Sequence, residues 1–376
     1  MTLGNTSRAT AEPIRVMLVD DSAVIRGLIK RMLDPETDIE VVHSVQNGLR
    51  AVESQSKNPV EVIILDIEMP VMDGLTALPK LIEISPKVKV IMASTLTLEN
   101  AEVSLKALKL GATDYVPKPT SSRDMGGAGD FKRLLIDTIR AVSGRIAPAA
   151  AGPAGPAALG VPQPKKSLYS GPVTLRAKPI VARRPDIIAI GSSTGGPQAL
   201  GVVMKSLSPN IKQPIMITQH MPPKFTTILA KHLSESSGRD CREGVDGEPI
   251  VSGRAYLAPG GFHMTANNEG AQKVIRLNED PPENFCRPAV DPMFRSIAAA
   301  YGGRVLAVIL TGMGSDGSRS AQNIVDAGGM VITQDEATSV VWGMPGAAAT
   351  AGFCTAVLPL EKVSEYVNDI VLKGAA

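Results

Sequence analysis

Two groups of residues in this sequence have the types and spacing to do chemistry. The first is acidic. Asp20 and Asp21 follow the apolar run IRVMLV, and Asp66 follows residues 62–65 inside LDIEMPVMDG. Ser94 and Thr95 follow residues 88–93, and Lys118 follows residues 114–116. Carboxylates brought to one place repel, and a divalent cation makes such a cluster tolerable. Hard oxygen donors of this kind suit Mg²⁺. A nearby ammonium and hydroxyl complete a site that could carry a phosphoryl group on a carboxylate.

The second group is a nucleophile, a base and an acid. GSSTGG, residues 191–196, lies between the strand-like DIIAI and the helical PQALGVVMKSL and contains Ser193. His220 closes the run 215–219, and Asp316 lies in TGMGSDG after residues 305–310. Serine as nucleophile, histidine as general base and aspartate as orienting anion are the ingredients of acyl transfer. Each has a rival: Ser192 beside the nucleophile, His263 in APGGFHM as base, Asp291 in RPAVDPMF as acid. The order Ser, His, Asp differs from the Ser, Asp, His of α/β-hydrolases. GSSTGG could also be a phosphate loop or a capped helix start. It lacks the GxGxxG spacing and the GK[ST] ending of nucleotide loops.

The elements that must position these residues are short β-branched runs alternating with helical periods. Residues 14–19, 39–42, 62–65, 88–93 and 114–116 read as strands, as do 187–190, 215–218, 305–310 and 330–333. Ile25, Leu28, Ile29, Met32 and Leu33 carry the spacing of an amphipathic helix, and Phe131, Leu134, Leu135 and Ile139 repeat it. Such alternation implies parallel sheets with helices on both faces, an α/β class of two doubly wound domains. Ligands of such sheets collect beyond the carboxyl ends of the strands, where both residue groups fall.

The chain has 376 residues, enough for two or three domains. Residues 141–184 turn rich in Ala, Pro and Gly and carry basic charges with no Asp or Glu. Such a segment buries too little apolar surface to offset chain entropy, and it reads as a flexible linker, 144–184. It separates a domain at 14–143 from one at 185–376, with residues 1–13 as a disordered start. The formal charge of +2 and an aromatic content of 3% give no case for nucleic-acid binding. Three cysteines without CxxC spacing argue against a disulfide framework or a thiolate zinc site. No apolar run has the length of a membrane helix, and the start lacks the apolar core of a signal peptide. A cytoplasmic protein is expected.

The Asp pair, LDIEMPVMDG, the hydroxyl and the Lys118–Pro119 dipeptide resemble response-regulator receiver domains. The resemblance implies a flavodoxin-like domain with Asp66 as phospho-acceptor and Asp20, Asp21 and Asp66 around Mg²⁺. It makes Ser94 the switch hydroxyl, with Thr95 one residue away, Tyr115 the aromatic switch and Lys118 the phosphate partner. GSSTGG, ITQHMPP, YLAPGGFHM, NFCRPAVDPMF, ILTGMGSDG and GMP resemble the Rossmann-like catalytic domain of chemotaxis protein-glutamate methylesterases. That resemblance implies a triad of Ser193, His220 and Asp316, with the Met313 backbone amide as oxyanion donor and no cofactor. Ser192 stands where that family usually has Ala.

The implied function is phosphorylation-activated hydrolysis of glutamate methyl esters on chemoreceptor cytoplasmic helices, releasing methanol, with deamidation of receptor glutamines by the same triad. A chemotaxis histidine kinase would be the phosphodonor, and neither nucleic acid nor membrane insertion is expected. A receiver-regulated transcription factor would need a helix-turn-helix module where this chain shows strands. A receiver fused to a nucleotide-binding domain would need the missing lysine.

Overall fold

The computed structural model describes residues 12–95, 97–118, 125–145, 169, 171–177 and 184–373. The expected disordered start therefore lies almost wholly outside the described residues, as does Pro119. The chain divides into two compact units, and each large sheet belongs to one of them.

From residue 14 the chain alternates strand and helix: β1 (Ile14–Val19), α1 (Ala23–Leu33), β2 (Ile39–Val45), α2 (Gly48–Lys57), β3 (Val62–Asp66), α3 (Gly74–Ile84), β4 (Lys89–Ser94), α4 (Leu98–Lys109), β5 (Asp114–Pro117) and α5 (Met125–Ser143). The five strands pair in parallel in the order β2-β1-β3-β4-β5. Every residue of β3 is buried. That is why it reads as a continuous apolar run instead of an alternation: a parallel sheet is covered on both faces. The helices start on side-chain caps, Ser22 for α1, Asn47 for α2 and Asp73 for α3.

The second run holds β6 (Ile187–Ser192), α6 (Gly196–Ser206), β7 (Ile215–Gln219), α7 (Phe225–Ser237), β8 (Cys241–Glu243), β9 (Ala255–Leu257), β10 (His263–Glu269), β11 (Gln272–Asn278), α8 (Val290–Tyr301), β12 (Val305–Ile309), α9 (Ser318–Asp326), β13 (Met330–Gln334), α10 (Met344–Thr350), β14 (Ala356–Leu358) and α11 (Leu360–Lys373). Its parallel sheet has the order β14-β13-β12-β6-β7-β9-β8. The chain leaves β6 toward β7 and later resumes on the other side with β12. The crevice between them is a topological switch point, and β1 and β3 form the equivalent crevice of the first sheet.

Two features depart from the sequence reading. Strands β10 and β11 form an antiparallel hairpin that periodicity did not single out. Its inner side chains Met264, Ala266 and Ile275 join a core with Met293, Phe294 and Ile297 of α8, while its far end is polar and exposed. The stretch 144–184 is not tether throughout. In its described part the Arg176 N–H donates to the Cys354 carbonyl at 2.8 Å, and the side chains of half-buried Tyr169 and of Ser315 are hydrogen-bonded. A short extended segment gains partners here that composition cannot reveal. Among the described residues no helix is long and apolar enough to cross a membrane.

Candidate active site

The acidic group assembles at the first switch point. Val19 pairs with Leu65, so Asp20 and Asp66 leave neighbouring parallel strands at the same level. Asp20, Asp21 and Asp66 each bring a carboxylate oxygen within 4.8 Å of the others. Asp20 and Asp66 are buried, whereas Asp21 is exposed. Lys118 leaves β5 and reaches both buried carboxylates, with its Nζ 2.6 Å from Asp20 and 2.7 Å from Asp66. Burial pushes the Asp66 carboxyl above its ordinary pKa even though the lysine pulls the other way. Burial opposes the Lys118 charge too, but the two carboxylates outweigh it and raise its pKa. Ser94, at the end of β4, is buried, and its carbonyl accepts from the Lys118 N–H at 2.7 Å. Tyr115 is also buried, which holds its hydroxyl neutral. Three clustered hard-oxygen donors fit a divalent cation, and the Lys118 ammonium lies beside two of them.

The second group assembles at the other switch point. Ser192 pairs with Gln219, so Ser193 and His220 leave adjacent strands together, and the His220 N–H donates to the Ser192 carbonyl at 3.1 Å. The two serines of GSSTGG separate cleanly. Ser192 is fully buried and its hydroxyl donates to Gln219 Oε1 at 2.7 Å, while Ser193 is partly exposed. The same glutamine donates from Nε2 to the Ser193 carbonyl at 2.9 Å and to the His220 carbonyl at 3.1 Å. Gly196 exists for this amide: a Cβ there would collide with Gln219 Oε1. Gly312 lets the loop after β12 close on the nucleophile, since a Cβ there would fall 2.8 Å from Ser193 Cβ. Met313 is the next residue of that loop, which the Met344 N–H holds through the Gly312 carbonyl at 2.8 Å.

His220 is 11% exposed, and its Nε2 lies 2.6 Å from Asp316 Oδ2. The bond to Asp316 takes up one of the two ring nitrogens. The ring is also hydrogen-bonded to the Cys286 thiol. Burial works to keep the imidazole neutral. The neighbouring Cys286 and the Asp316 carboxylate outweigh it, so the His220 pKa lies well above the ordinary value. Asp316 is itself buried, which would raise its pKa, but His220 and backbone N–H donors hold it low. The rival base has other partners. His263 Nδ1 accepts from the Ala289 N–H at 3.2 Å and its Nε2 faces the Pro281 carbonyl at 3.2 Å, so both ring nitrogens meet backbone groups. The rival acid Asp291 lies next to Asp316 rather than at a histidine. Its Oδ1 accepts from the Ser320 N–H at 2.9 Å.

Sequence reading missed Gln219, Cys286 and Asn284, all three of which lie inside the quoted motifs. Gln219 immediately precedes the base at a strand end, which was its one visible signal. Ser192→Ala should cost about 1–3 kcal/mol of stability by stranding the Gln219 carbonyl, whereas Ser193→Ala should leave Tm nearly unchanged. Thermal unfolding of the two variants checks this.

A family model described as CheB methylesterase matches residues 188–367, and one described as response regulator receiver domain matches residues 16–128. A protein-glutamate methylesterase/protein-glutamine glutaminase of Paramagnetospirillum magneticum is 57% identical over 99% of this chain and 100% of its own length. One from Azospirillum brasilense is 54% identical, over 98% of this chain and 96% of its own. The crystal structure of the Thermotoga maritima CheB methylesterase catalytic domain is 39% identical, covering 50% of this chain and 100% of that one with a TM-score of 0.49. With a receiver domain in front and close relatives along its whole length, this chain belongs to the protein-glutamate methylesterase/protein-glutamine glutaminase family.

Proposed function

We propose that Ser193, His220 and Asp316 hydrolyse the methyl esters of glutamates on chemoreceptor cytoplasmic helices. The observation that carries this reading is the 2.6 Å bond between His220 and Asp316 beside a partly exposed Ser193, all at one sheet edge. His220 takes the serine proton as Ser193 Oγ attacks the ester carbonyl. The oxyanion turns toward the Met313 backbone amide. His220 then returns the proton to the departing methoxide, which leaves as methanol. Water, deprotonated by the same ring, releases the glutamate carboxylate and restores the serine. On a glutamine the leaving group is ammonia, and the sequence of proton transfers is the same. No step in this scheme needs a cofactor.

The receiver site supplies the regulation. Asp66 accepts a phosphoryl group from a histidine kinase, and Lys118 pairs with the phosphate. Asp20, Asp21 and Asp66 would hold Mg²⁺, which would supply positive charge against the clustered carboxylates. The phosphoryl group itself carries a charge of about −2, which Ser94 and Tyr115 would read. A working place in the cytoplasm follows from a kinase donor and receptor helices as substrate.

A second reading has one observation behind it: the Cys286 thiol touches the base and could be the nucleophile. Methanol release from methylated receptor separates them. Ser193→Ala should lose about 10⁴–10⁶ in rate, while Cys286→Ala stays active. The reverse result makes the cysteine the nucleophile. A small-molecule phosphodonor with Mg²⁺ should raise the rate of the intact protein about 5–150-fold and leave Asp66→Asn unresponsive. Equal rates with and without donor would end the regulatory reading.

The pH dependence has a definite sign. The neutral imidazole is the base, and Asp316 stabilises the protonated ring. kcat/KM should therefore rise with pH through a midpoint above about 6.5, the ordinary imidazole value. Asp316→Asn should move that midpoint down as well as lower the rate, which a pH–rate profile of both proteins measures.

A further inference from the structure

The His220–Asp316 pair is capped by the loop that joins β11 to α8. Asn284 and Phe285 both take positive φ there, 51° and 63°, in a turn closed by backbone bonds between Glu283 and Cys286. Arg295 of α8 anchors the turn through Glu283 at 2.8 Å. The turn reaches both members of the pair, since Asn284 bonds Asp316 and Cys286 bonds His220.

Asn284 does something more specific than cover. Its single Nδ2 donates to Asp316 Oδ1 at 2.9 Å and to Asp291 Oδ2 at 3.0 Å. Those two carboxylates are 1% and 3% exposed. Two buried anions side by side cannot both stay ionised unless donors stand between them. The amide offers one hydrogen to each. It accepts nothing from either and cannot be titrated away.

We propose that Asn284 is a positioning residue of the esterase. By bridging Asp291 and Asp316 it keeps Asp316 an anion and so keeps the His220 ring in the tautomer that can receive the serine proton. Asn284 does not touch the reacting atoms. The inference rests on the triad reading above. Burial and the neighbouring Asp316 raise the Asp291 pKa, so Asp291 is the group poised to take a proton if the bridge is lost. That proton would be shared with Asp316 and would weaken its hold on the imidazole. Among the described residues, the other charged or titratable groups facing this pair are His220 just after β7, Cys286 and Glu283 from the turn and Arg295 from α8.

The test uses the full-length protein and methylated receptor. Asn284→Ala should lower kcat about 10–100-fold with KM little changed, and should move the acid limb of kcat/KM to lower pH. Adding Asp291→Asn removes the facing anion, so the double variant should recover most of the rate and the original limb. A merely structural role would show neither the limb shift nor the rescue. NMR titration of the His220 ring in a Ser193→Ala background gives a readout independent of turnover, and Asn284→Ala should lower that pKa. Wild-type kcat and limb in Asn284→Ala overturn the proposal, and so does a loss of rate with an unmoved His220 titration and no rescue. Failure of the parent reading looks different: Asp316→Asn would then turn over methylated receptor at the wild-type rate.

Discussion

The second unit is built around one carboxylate that stays ionised where almost no water reaches it. Asp316 is 1% exposed, and a buried anion without partners takes up a proton instead. Its oxygens are met by the His220 ring, the Val290 and Asp291 N–H groups at the start of α8, the Gly317 N–H at the start of α9 and the Asn284 amide. Two helix N-termini thus point at one anion, and their dipoles add to the bonds. The arrangement ties a strand end, a turn and two helices to one atom group. Each of those elements is correspondingly hard to move without disturbing the base.

The receiver pocket meets a related problem with a different solution. Asp20 and Asp66 are also buried neighbours at a switch point, but a lysine joins them where an amide joins Asp291 and Asp316. The two bridges differ in charge. An ammonium group brings a positive charge between the carboxylates, whereas backbone N–H groups and a neutral amide bring hydrogen bonds alone. In both units these clusters sit where strand order reverses, because there neighbouring strand ends leave a crevice.

Much of this was legible because parallel sheets leave a clear trace. Buried strands read as unbroken apolar runs, and the polar residues that end them stand out: Asp20, Asp66 and Lys118 in one unit, Ser193 and His220 in the other. Asp316 was legible as a loop residue after a strand. The hairpin β10–β11 was not, because only part of each strand is buried and the pattern stays mixed. Gln219, Asn284 and Cys286 were not either. Their roles come from partners far off in sequence, as with Asn284 and Asp316, and a side chain that bonds across loops has no periodicity to betray it.

The sequence by itself determined the α/β class, the strand ends and the set of reactive residue types, since burial periodicity and residue chemistry are local properties. Only the tertiary structure decided how the rival residues differ in their surroundings. It buried the Ser192 hydroxyl against Gln219 and left Ser193 partly exposed. Both nitrogens of His263 face backbone groups, whereas the His220 ring meets the side chains of Asp316 and Cys286. It also set Asp291 beside Asp316 with Asn284 between them. Each of these depends on which atoms lie within about 3 Å of a polar group once the chain has closed, and hydrogen-bond reach across a fold is not encoded in spacing along it.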